Sequence, residues 1–445
     1  MLYGGVPNLD PPAPEDEDHI IDALKQSGRV SSISLTVTSS LISKLSAISE
    51  PISELEDLTL LSHDNMQLAL PTTFRWGTRL RTLHSVGIAF PSFPHLLAPC
   101  QDIVDLQLHE IPSAGYFSPE TFADALSGMT QLRSITLHFL SFPHRRSHLS
   151  PPLPPGGRTV LSALVYLKYR GTSKYFDNFV ARIDAPCLGD IDITFFTQPT
   201  MDASQLGQFI ERIEVQTSLI RADIDISAQA ISISFTHPST STLLKLQISC
   251  NQLDWQLSCM AQVCDQFSPF LSRVEELRIN ETQSLIGQND VAGEQWVELV
   301  RPFGSARDFW MTDDLVTHIM HALGQADGDT TLLPALRYLS VEHLIELNEP
   351  SWDALQSFIN LRALSGHPVK IDTHGLQITC SYCDHIVSMP GYDHQFWSHL
   401  VLKHPRVARK DVLLSNPLLT YPTALELGAL RRRHTLWLAP DEELE

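Results

Sequence analysis

The stretch Leu132-Arg133-Ser134-Ile135-Thr136-Leu137 shows the pattern that decides the fold, because its spacing of apolar residues recurs over most of the chain. In this frame two residues separate the first apolar position from the second, and one separates the second from the third. The frame begins at Val30, Leu55, Leu80, Ile103, Leu132, Leu164, Leu188, Leu243, Val274, Leu336 and Leu361. Most steps between these starts are close to the roughly 20 to 29 residues of a repeat that contributes one strand per turn. Two steps are nearly double and predict one degenerate unit each, over 221–227 and 306–312.

The last two apolar positions of each frame lie on the same side of a strand, because alternate side chains of a strand point to opposite faces. In the best unit, Ile135 and Leu137 point into the core, whereas Ser134, Thr136 and His138 point outward. A single repeat of this kind buries its apolar side only against its neighbours. We therefore predict an α/β fold, an irregular leucine-rich repeat solenoid over residues 19–371, with a parallel sheet on the concave face and helices and loops on the convex face.

Segments between the strands have apolar residues at helical spacing and predict amphipathic helices. In Pro119–Met129 the proline stands at the first helical position, and Ser118 before it is a residue that caps helices well. The other predicted helices are His19–Gln26, Ala203–Ile213, Gln295–Phe303, Asp314–Leu323 and Trp352–Ile359. Strands alternating with helices predict a right-handed coil. The proline-rich insertion Phe142–Arg158 predicts a long exposed loop inside one repeat.

The charge balance argues against two classes of partner. The chain has 31 Lys and Arg against 51 Asp and Glu, a formal net charge of -20, and such a field repels nucleic acid and anionic membranes. Neither a membrane-spanning apolar run nor a secretory signal is present, so we expect a cytoplasmic or nuclear protein with reduced cysteines. Residues 1–18 are rich in proline and acidic residues and predict a disordered lead-in.

Motifs of enzymes are missing from the sequence. It has no nucleophile elbow, no phosphate-binding loop and no dinucleotide-binding glycine pattern after a strand, so we predict a non-enzymatic protein. Its 19 histidines are spread along the chain. Those predicted to lie on strands or loops of the concave side are His84, His109, His138 and His343. The tryptophans predicted to lie in the core are Trp76, Trp255, Trp310 and Trp352.

The pattern changes near the C-terminus, where Cys380 and Cys383 precede His399 and His404. Two cysteines from a hairpin and two histidines from one helix would form a closed tetrahedral zinc site, in which metal binding supplies folding energy. Residues 372–410 therefore predict a zinc-finger-like segment, with His385 and His394 as rival ligands. The alternative is a helical hairpin that caps the end of the solenoid and contains two ordinary reduced cysteines. Residues 411–445 predict a helical tail with an acidic end.

The repeats, the lead-in Tyr3-Gly4-Gly5-Val6-Pro7-Asn8-Leu9-Asp10-Pro11-Pro12 and the phrase Arg29-Val30-Ser31-Ser32-Ile33-Ser34-Leu35 together resemble the leucine-rich repeat part of fungal F-box proteins of mushroom-forming species. The resemblance covers about residues 20–370. It implies a solenoid that holds the substrate of a ubiquitin ligase, while an F-box helix bundle binds a Skp-type adaptor. The sequence departs from the family in lacking an F-box. The asparagine that often follows the strand is also mostly missing, with Asn251 the clear match.

We therefore expect a monomeric recognition scaffold that is the substrate-recognition part of an F-box-type receptor whose F-box is missing from this chain. An adaptor would bind only if an F-box is encoded upstream. The outward strand residues expected to contact a protein partner are Gln107, His109, Ser134, Thr136, His138, Arg278, Asn280, Ser340 and Glu342. The alternative function is that of a zinc-binding, nucleic-acid-associated protein that uses the finger and the basic tail around Arg431-Arg432-Arg433.

Overall fold

The computed structural model describes most of the first 371 residues and two short strands beyond them. The described residues are 13–46, 48, 51–62, 68–72, 74–140, 157–198, 200–213, 221–236, 244–282, 293–325, 332–342, 349–371, 377–379 and 386–388. The chain divides into two compact units. Unit 1 comprises residues 1–222 and 228–270, and unit 2 comprises residues 223–227 and 271–445.

Unit 1 is built on a mostly parallel sheet in which strands from successive repeats lie side by side. The main strands are β1 (Ser32–Val37), β2 (Asp57–Ser62), β4 (Thr82–Val86), β6 (Asp105–Ile111), β7 (Ser134–Phe139), β9 (Tyr166–Gly171), β11 (Asp190–Phe196), β13 (Ala230–Thr236) and β14 (Leu244–Ser249). Their order is β1-β2-β4-β6-β7-β9-β11-β14-β13. Short accessory strands are β3 (Leu68–Ala69), β5 (Ile88–Ala89), β8 (Thr159–Val160) and β10 (Ile183–Asp184), which pair as β3 with β5 and β8 with β10.

From β1 to β11 the register confirms the repeat pattern, because equivalent core positions of neighbouring frames lie side by side. At β14 the predicted frame is offset by two residues, since Ile191 pairs with Leu244 rather than with Leu246. One continuous buried row consists of Ile33, Leu58, Leu83, Leu106, Ile135, Leu167, Ile191 and Leu244. These residues belong to eight strands that the sequence frame predicted. Each strand thus buries its apolar side only as part of the stack, as expected for a repeat protein.

The first near-double step, between the frames at Leu188 and Leu243, contains two additional strands rather than a single one. β12 (Arg221–Ile226) forms where a degenerate unit was predicted, but β13 follows and pairs antiparallel with β14. Ile231, Ile233 and Phe235 alternate with polar residues, and this period of two favours a strand over a helix. A strand therefore lies at the predicted degenerate unit, 221–227, and β13 is a further strand that the frame did not predict.

The helices of unit 1 cover the apolar side of the sheet. They are α1 (Pro14–Leu24), α2 (Ser39–Leu45), α3 (Phe93–Leu97), α4 (Pro119–Leu126), α5 (Ser173–Val180), α6 (Ser204–Glu211) and α7 (Leu253–Gln266), and α8 (Ser268–Leu271) follows. The Ser118 hydroxyl accepts the Thr121 N–H, which confirms the predicted cap of α4. Phenylalanines link successive helices to the core, as where the rings of Phe122 and Phe179 lie 5.3 Å apart.

Helix α1 begins at Pro14, so the acidic residues 15–18 belong to the helix rather than to the predicted lead-in. The Glu17 carboxylate is buried and accepts hydrogen bonds from Thr38 Oγ1 at 2.6 Å and Ser40 Oγ at 2.7 Å. Lys44 Nζ lies 3.1 Å from the same carboxylate. These contacts attach α1 to α2, and they explain why an acidic stretch is helical here.

Unit 2 contains strands in the order β12-β15-β16-β17-β18. They are β15 (Glu276–Glu281), β16 (Asp308–Met311), β17 (Tyr338–Val341) and β18 (Lys370–Ile371), which pair in parallel, and the helices are α9 (Gly293–Val300), α10 (Asp313–Gln325) and α11 (Glu349–Leu364). β16 lies within the second predicted degenerate unit, 306–312. The last predicted frame, at Leu361, is wrong because Leu361 and Leu364 belong to α11 and are 42% and 87% exposed. A spacing of three residues fits a helix as well as the start of a strand frame.

Near the C-terminus, β19 (Gln377–Thr379) and β20 (Ile386–Ser388) form an antiparallel pair. The predicted zinc ligands Cys380, Cys383, His399 and His404 lie outside the described residues, as do His343 and most of the insertion 142–158. Within the part of the chain that the structure describes, no helix is long and apolar enough to cross a membrane.

Candidate protein-binding surface

The side of the unit 1 sheet opposite the apolar rows is its polar face, formed by the residues that alternate with the core positions. Its central row consists of Ser34, Thr59, His84, Gln107, Thr136, Lys168, Asp192 and Lys245. A second row, nearer the C-terminal ends of the strands, consists of Val86, His109, His138, Arg170, Thr194 and Gln247. Repeats far apart in sequence thus place hydrogen-bonding and charged groups on one surface.

A β-bulge lies at the centre of this face. The pairing of β6 with β7 shifts between Leu108 and Ile111, so that His109 and Glu110 stand opposite the single residue His138. Glu110 has φ 54, in the left-handed region, which costs a residue other than glycine on the order of 1 kcal/mol or more. Bulges re-aim side chains, and this one brings His109 towards His138.

Three histidines from neighbouring strands meet at the bulge. The ring centroids of His84 and His109 are 5.2 Å apart, and those of His109 and His138 are 4.6 Å apart. His109 Nδ1 lies 3.1 Å from His138 Nδ1, and its Nε2 lies 3.5 Å from Gln107 Oε1. In the Nδ1 contact one imidazole donates and the other accepts, so the accepting ring is neutral.

The pKa values of these histidines are lowered, chiefly by burial. The pKa of His138 falls to about 3, and His109, Lys168 and Arg170 add to the effect. The pKa of His109 falls to about 4, with His84 and Lys168 contributing. Burial also lowers the pKa of His84. The three imidazoles are therefore neutral at pH 7.

Two cations on β9 border the histidines and differ in their partners. Lys168 Nζ forms an ion pair with Asp192 Oδ2 at 2.8 Å. Arg170, next to His138 in the register, has its guanidinium carbon 5.9 Å from the ring centre of Phe196. Among the described residues no carboxylate lies within ion-pair distance of Arg170, and its buried Nε and the buried Nε2 of His138 have no hydrogen-bond partner there.

The predicted contact residues of unit 1 all lie on the polar face, but one of them is not accessible. Gln107, His109, Ser134 and His138 are partly exposed. Thr136 is only 4% exposed, because its short side chain lies in the central row between the longer side chains of Gln107 and Lys168. The prediction that Thr136 is exposed is therefore wrong.

Sequence reasoning missed Lys168 and Arg170, although the frame itself could have found them. Leu167 and Tyr169 occupy the core positions of that repeat, so the residues after each of them must point outward. Their pairing differs in a way that no sequence pattern shows, because Asp192 reaches Lys168 from the next strand while Arg170 has no such partner among the described residues.

In unit 2 the predicted contact residues are partly engaged within the chain. Arg278 Nε donates to Glu276 Oε1 at 2.6 Å, and its guanidinium carbon lies 5.8 Å from the ring centre of Trp310. Asn280 Nδ2 donates to Asp225 Oδ1 at 2.8 Å. Ser340 stands beside Trp310 in the register, and Ser340 and Glu342 are half-buried.

The tryptophans do not all lie in the core. Trp76 does, being 4% exposed, with its indole N–H donating to the Leu96 carbonyl. Trp255 is 44% exposed, and Trp310 is half-buried on an outward strand position, so the core predictions for these two are wrong. Trp352 is half-buried as well.

In the described parts of the chain, no three His, Cys, Asp or Glu side chains are grouped so that they could hold a metal ion.

Comparison with known proteins gives two distant structural similarities. No family model and no curated protein matches the chain. Among solved structures, the leucine-rich repeat-containing protein LegL7 from Legionella pneumophila is 12% identical, with a TM-score of 0.30 over 74% of this chain and 97% of that one. The Leptospira interrogans leucine-rich repeat protein LIC12759 is 11% identical, with a TM-score of 0.24 over 78% of this chain and 74% of that one.

The class of fold is defined by the repeats of the chain itself. Frames of L-x-x-L-x-L type form parallel strands, and their core positions lie in register from repeat to repeat. The protein is a mixed α/β protein of the leucine-rich repeat class.

Proposed function

We propose that this chain is a non-enzymatic, monomeric scaffold in the cytoplasm or nucleus that recognises a protein through the polar face of unit 1. The observation that supports this most is the pair of polar rows, to which eight neighbouring parallel strands contribute side chains. Such a surface offers donors, acceptors and charges at regular strand spacing. It suits an extended polypeptide surface better than a small substrate, for which a concave apolar pocket is the usual site.

The central row would supply most of the contacts. His84, Gln107 and Lys245 are at least partly accessible, and between them they offer hydrogen-bond donors, acceptors and a positive charge. A partner that crosses the strands would meet a different repeat about every 4.8 Å. Specificity then depends on the set of side chains in successive repeats rather than on any single one.

The experiment is quantitative affinity capture from an extract of the native cells, with two matched variants of the full chain. Lys245→Glu reverses a charge on the polar face, and Lys174→Glu makes the same change at an exposed residue of α5. We expect Lys245→Glu to lower the yield of the specific partner on the order of tenfold, a change of about 1.4 kcal/mol. Lys174→Glu should leave the yield unchanged. Equal yields from both variants would contradict the proposal.

We further propose that the scaffold is the substrate-recognition part of an F-box-type ubiquitin ligase receptor. Support comes from the resemblance of the repeat region to fungal F-box proteins. The test is to map the 5′ end of the transcript and its translation start. An in-frame segment beginning near Leu-Pro-x-Glu upstream of Met1, whose product binds a Skp-type adaptor, is the expected result. Translation that starts at Met1, with no adaptor binding, would refute this part of the proposal.

The C-terminal segment is proposed to bind structural zinc through Cys380, Cys383, His399 and His404. The antiparallel pairing of β19 with β20 supports a hairpin at the position where the two cysteines would be presented. The metal content of the purified full chain should be close to one zinc per chain, and Cys380→Ser should lose it. A chain purified without chelators that contains no zinc would exclude the site.

Nucleic-acid binding through this segment is the second candidate function, and Cys383→Ser should abolish any such binding that depends on zinc.

A further inference from the structure

We infer that a cluster of four residues on the polar face, His109, His138, Lys168 and Arg170, binds a carboxylate of an acidic segment in the protein partner. This His–Arg cluster lies where β6, β7 and β9 adjoin. The inference rests on the proposed function and names the chemistry of the partner at one part of the surface. Four observations support it: an unpaired guanidinium, unpartnered nitrogens, the segregation of charge on the face, and the bulge.

The Arg170 guanidinium has a charge that nothing in the described chain compensates. Lys168, two residues earlier on the same strand, is neutralised by Asp192 at 2.8 Å. Arg170 instead lies against the ring of Phe196, a contact that leaves its hydrogen-bond donors unused. Its Nε is buried without an acceptor among the described residues, and an unsatisfied buried donor next to a charge costs about 1–3 kcal/mol. A carboxylate from outside the chain would compensate the guanidinium charge.

His138, which lies next to Arg170, also favours the binding of a carboxylate. Its Nδ1 is engaged with His109, while its buried Nε2 has no partner among the described residues. The adjacent charges are those of Lys168 and Arg170, which lower the pKa of His138. A cationic surrounding of this kind disfavours a metal ion. An approaching anion would be attracted, and it would favour the imidazole tautomer or charge state that donates to it.

Negative and positive charges lie in different rows of the polar face, and this separation determines where an acidic segment can bind. Asp57, Asp105 and Asp190 all lie in the row nearest the N-terminal ends of the strands. The row with His138 and Arg170 lies at the other side of the central row and includes no carboxylate from Val86 to Gln247. Glu110 adjoins His109 at the bulge and is already engaged within the chain. An acidic segment would therefore avoid the first row and approach the second.

One uncompensated charge matches a single carboxylate better than a phosphate dianion. Arg binds carboxylates through two parallel N–H donors, which gives geometric selectivity as well as attraction. A phosphate dianion would demand a second free cation, and Lys168 is already paired. The structure thus favours Glu or Asp of a partner over a phosphorylated residue.

The test measures binding of a fluorescein-labelled peptide of six glutamates to the full chain, with a peptide of six glutamines as reference. Ionic strength is held near 0.15 M, where the Debye length of about 8 Å screens the repulsion by the net charge of the chain but not a direct contact. The variants are Arg170→Gln, Arg170→Lys and the control Lys174→Gln, an exposed cation in α5. Thermal unfolding establishes that each variant is folded.

We expect the glutamate peptide to bind and the glutamine peptide not to bind. Arg170→Gln should weaken binding at least about tenfold, the effect of one charge-assisted contact of about 1.4 kcal/mol. Arg170→Lys should weaken it several-fold because the second parallel donor is lost, and it provides the readout if Arg170→Gln does not fold. Lys174→Gln should change affinity less than about twofold.

Three results would overturn the inference. The first is failure of the glutamate peptide to bind, and the second is binding by the Arg170 variants that equals binding by the wild type. The third is displacement of the peptide by inorganic phosphate when sodium chloride of the same ionic strength does not displace it. None of them would contradict the proposed function, which depends on loss of the native partner in Lys245→Glu. Loss of that partner without any role for Arg170 would mean that the face binds a protein through other residues.

Discussion

His109 Nδ1 lies 3.1 Å from His138 Nδ1, although the two histidines belong to different repeats and stand 29 residues apart in sequence. The bulge at Glu110 makes this contact possible, since it sets two residues of β6 against one of β7. Burial and the neighbouring cations keep both rings neutral at pH 7. The contact is therefore a hydrogen bond that protonation of the accepting ring would break, and it makes the stability of unit 1 dependent on pH.

The first prediction concerns acid stability. In the unfolded chain a histidine has a pKa near 6.5, and folding lowers the pKa of His109 to about 4 and that of His138 to about 3. The unfolded state takes up more protons below pH 6.5, so this part of the stability is present above pH 6.5 and is lost as the pH falls towards the folded values. His138→Gln should lose less stability than the wild type between pH 7 and pH 5, by about 1–2 kcal/mol.

Urea unfolding at the two pH values measures this difference. The control is His95→Gln, because His95 is exposed in α3 and contacts neither of the two histidines. It should follow the wild type at both pH values. If the wild type and His138→Gln lose the same unfolding free energy between pH 7 and pH 5, the two histidines are not buried as described.

The second prediction concerns Asp177 of α5, which is 3% exposed and anchors the next helix. Its Oδ1 accepts the N–H groups of Gln205 at 2.8 Å and Leu206 at 3.0 Å, in the first turn of α6. Burial raises its pKa to about 6, and the two N–H donors only partly oppose the shift. A raised folded pKa means that this contribution to stability is present below about pH 4 and is lost as the pH rises through 6.

Asp177→Asn keeps an oxygen that accepts both N–H groups but removes the buried charge. Relative to the wild type it should gain about 1–3 kcal/mol between pH 4 and pH 7, measured by chemical unfolding. Asp177→Ala leaves the N–H groups without an acceptor and should lose about 1–2 kcal/mol at pH 7. Parallel pH profiles for the wild type and Asp177→Asn would contradict the assignment.

The third prediction concerns the attachment of α1 through Glu17. Burial opposes its ionised form, but hydrogen bonds from Thr38 and Ser40, together with Lys44, outweigh this and lower its pKa. The stability it contributes is therefore present at neutral pH and is lost as the pH falls through that lowered pKa. Glu17→Ala should release α1 locally, at a cost of about 1–3 kcal/mol, seen as faster amide hydrogen exchange over residues 14–24.

Asp18→Ala is the matched control for Glu17→Ala. Asp18 contacts the same Lys44, at 2.7 Å, but its side chain is 74% exposed. An exposed ion pair contributes little, so exchange in α1 should change by less than about twofold. Equal effects of the two variants would mean that Glu17 does not anchor the helix.

The fourth prediction concerns Arg362, a 4% exposed residue of α11 in unit 2. Its guanidinium donates to the carbonyls of Leu332 at 3.0 Å and Leu333 at 3.1 Å, and Leu333 has φ 50. Burial lowers the pKa of the guanidinium. Arg362→Lys cannot span both carbonyls and should cost about 1–3 kcal/mol in chemical unfolding, whereas Arg301→Lys at an exposed position should cost almost nothing. A neutral effect of Arg362→Lys would exclude a role in holding this turn.

The sequence predicted the strands well because the L-x-x-L-x-L frame reports a physical necessity. Leu132, Ile135 and Leu137 are all fully buried, and every unit must bury such positions against its neighbours. The capped helix at Pro119 was predictable for a similar reason, since Ser118 satisfies a backbone N–H that the first turn leaves free.

Features that depend on contacts between repeats could not be predicted. The antiparallel β13 arises inside a step that fits two repeats in length, and the bulge at Glu110 has no glycine to announce it. The exposure of Thr136 depends on the side chains of Gln107 and Lys168, which belong to the neighbouring strands. Arg170 has no carboxylate partner among the described residues, and this likewise depends on which side chains the next strand places beside it.

Recognition through the polar face of unit 1 can be tested by cross-linking the native partner to the full chain and reading the cross-links by mass spectrometry at individual lysines. Lys245 is exposed on the polar face of unit 1, whereas Lys174 is exposed on α5, with its side chain 57% accessible. We expect an amine-reactive reagent to join partner peptides to Lys245 and to leave Lys174 without them. Cross-links that concentrate at Lys174 and avoid Lys245 would contradict recognition through this face.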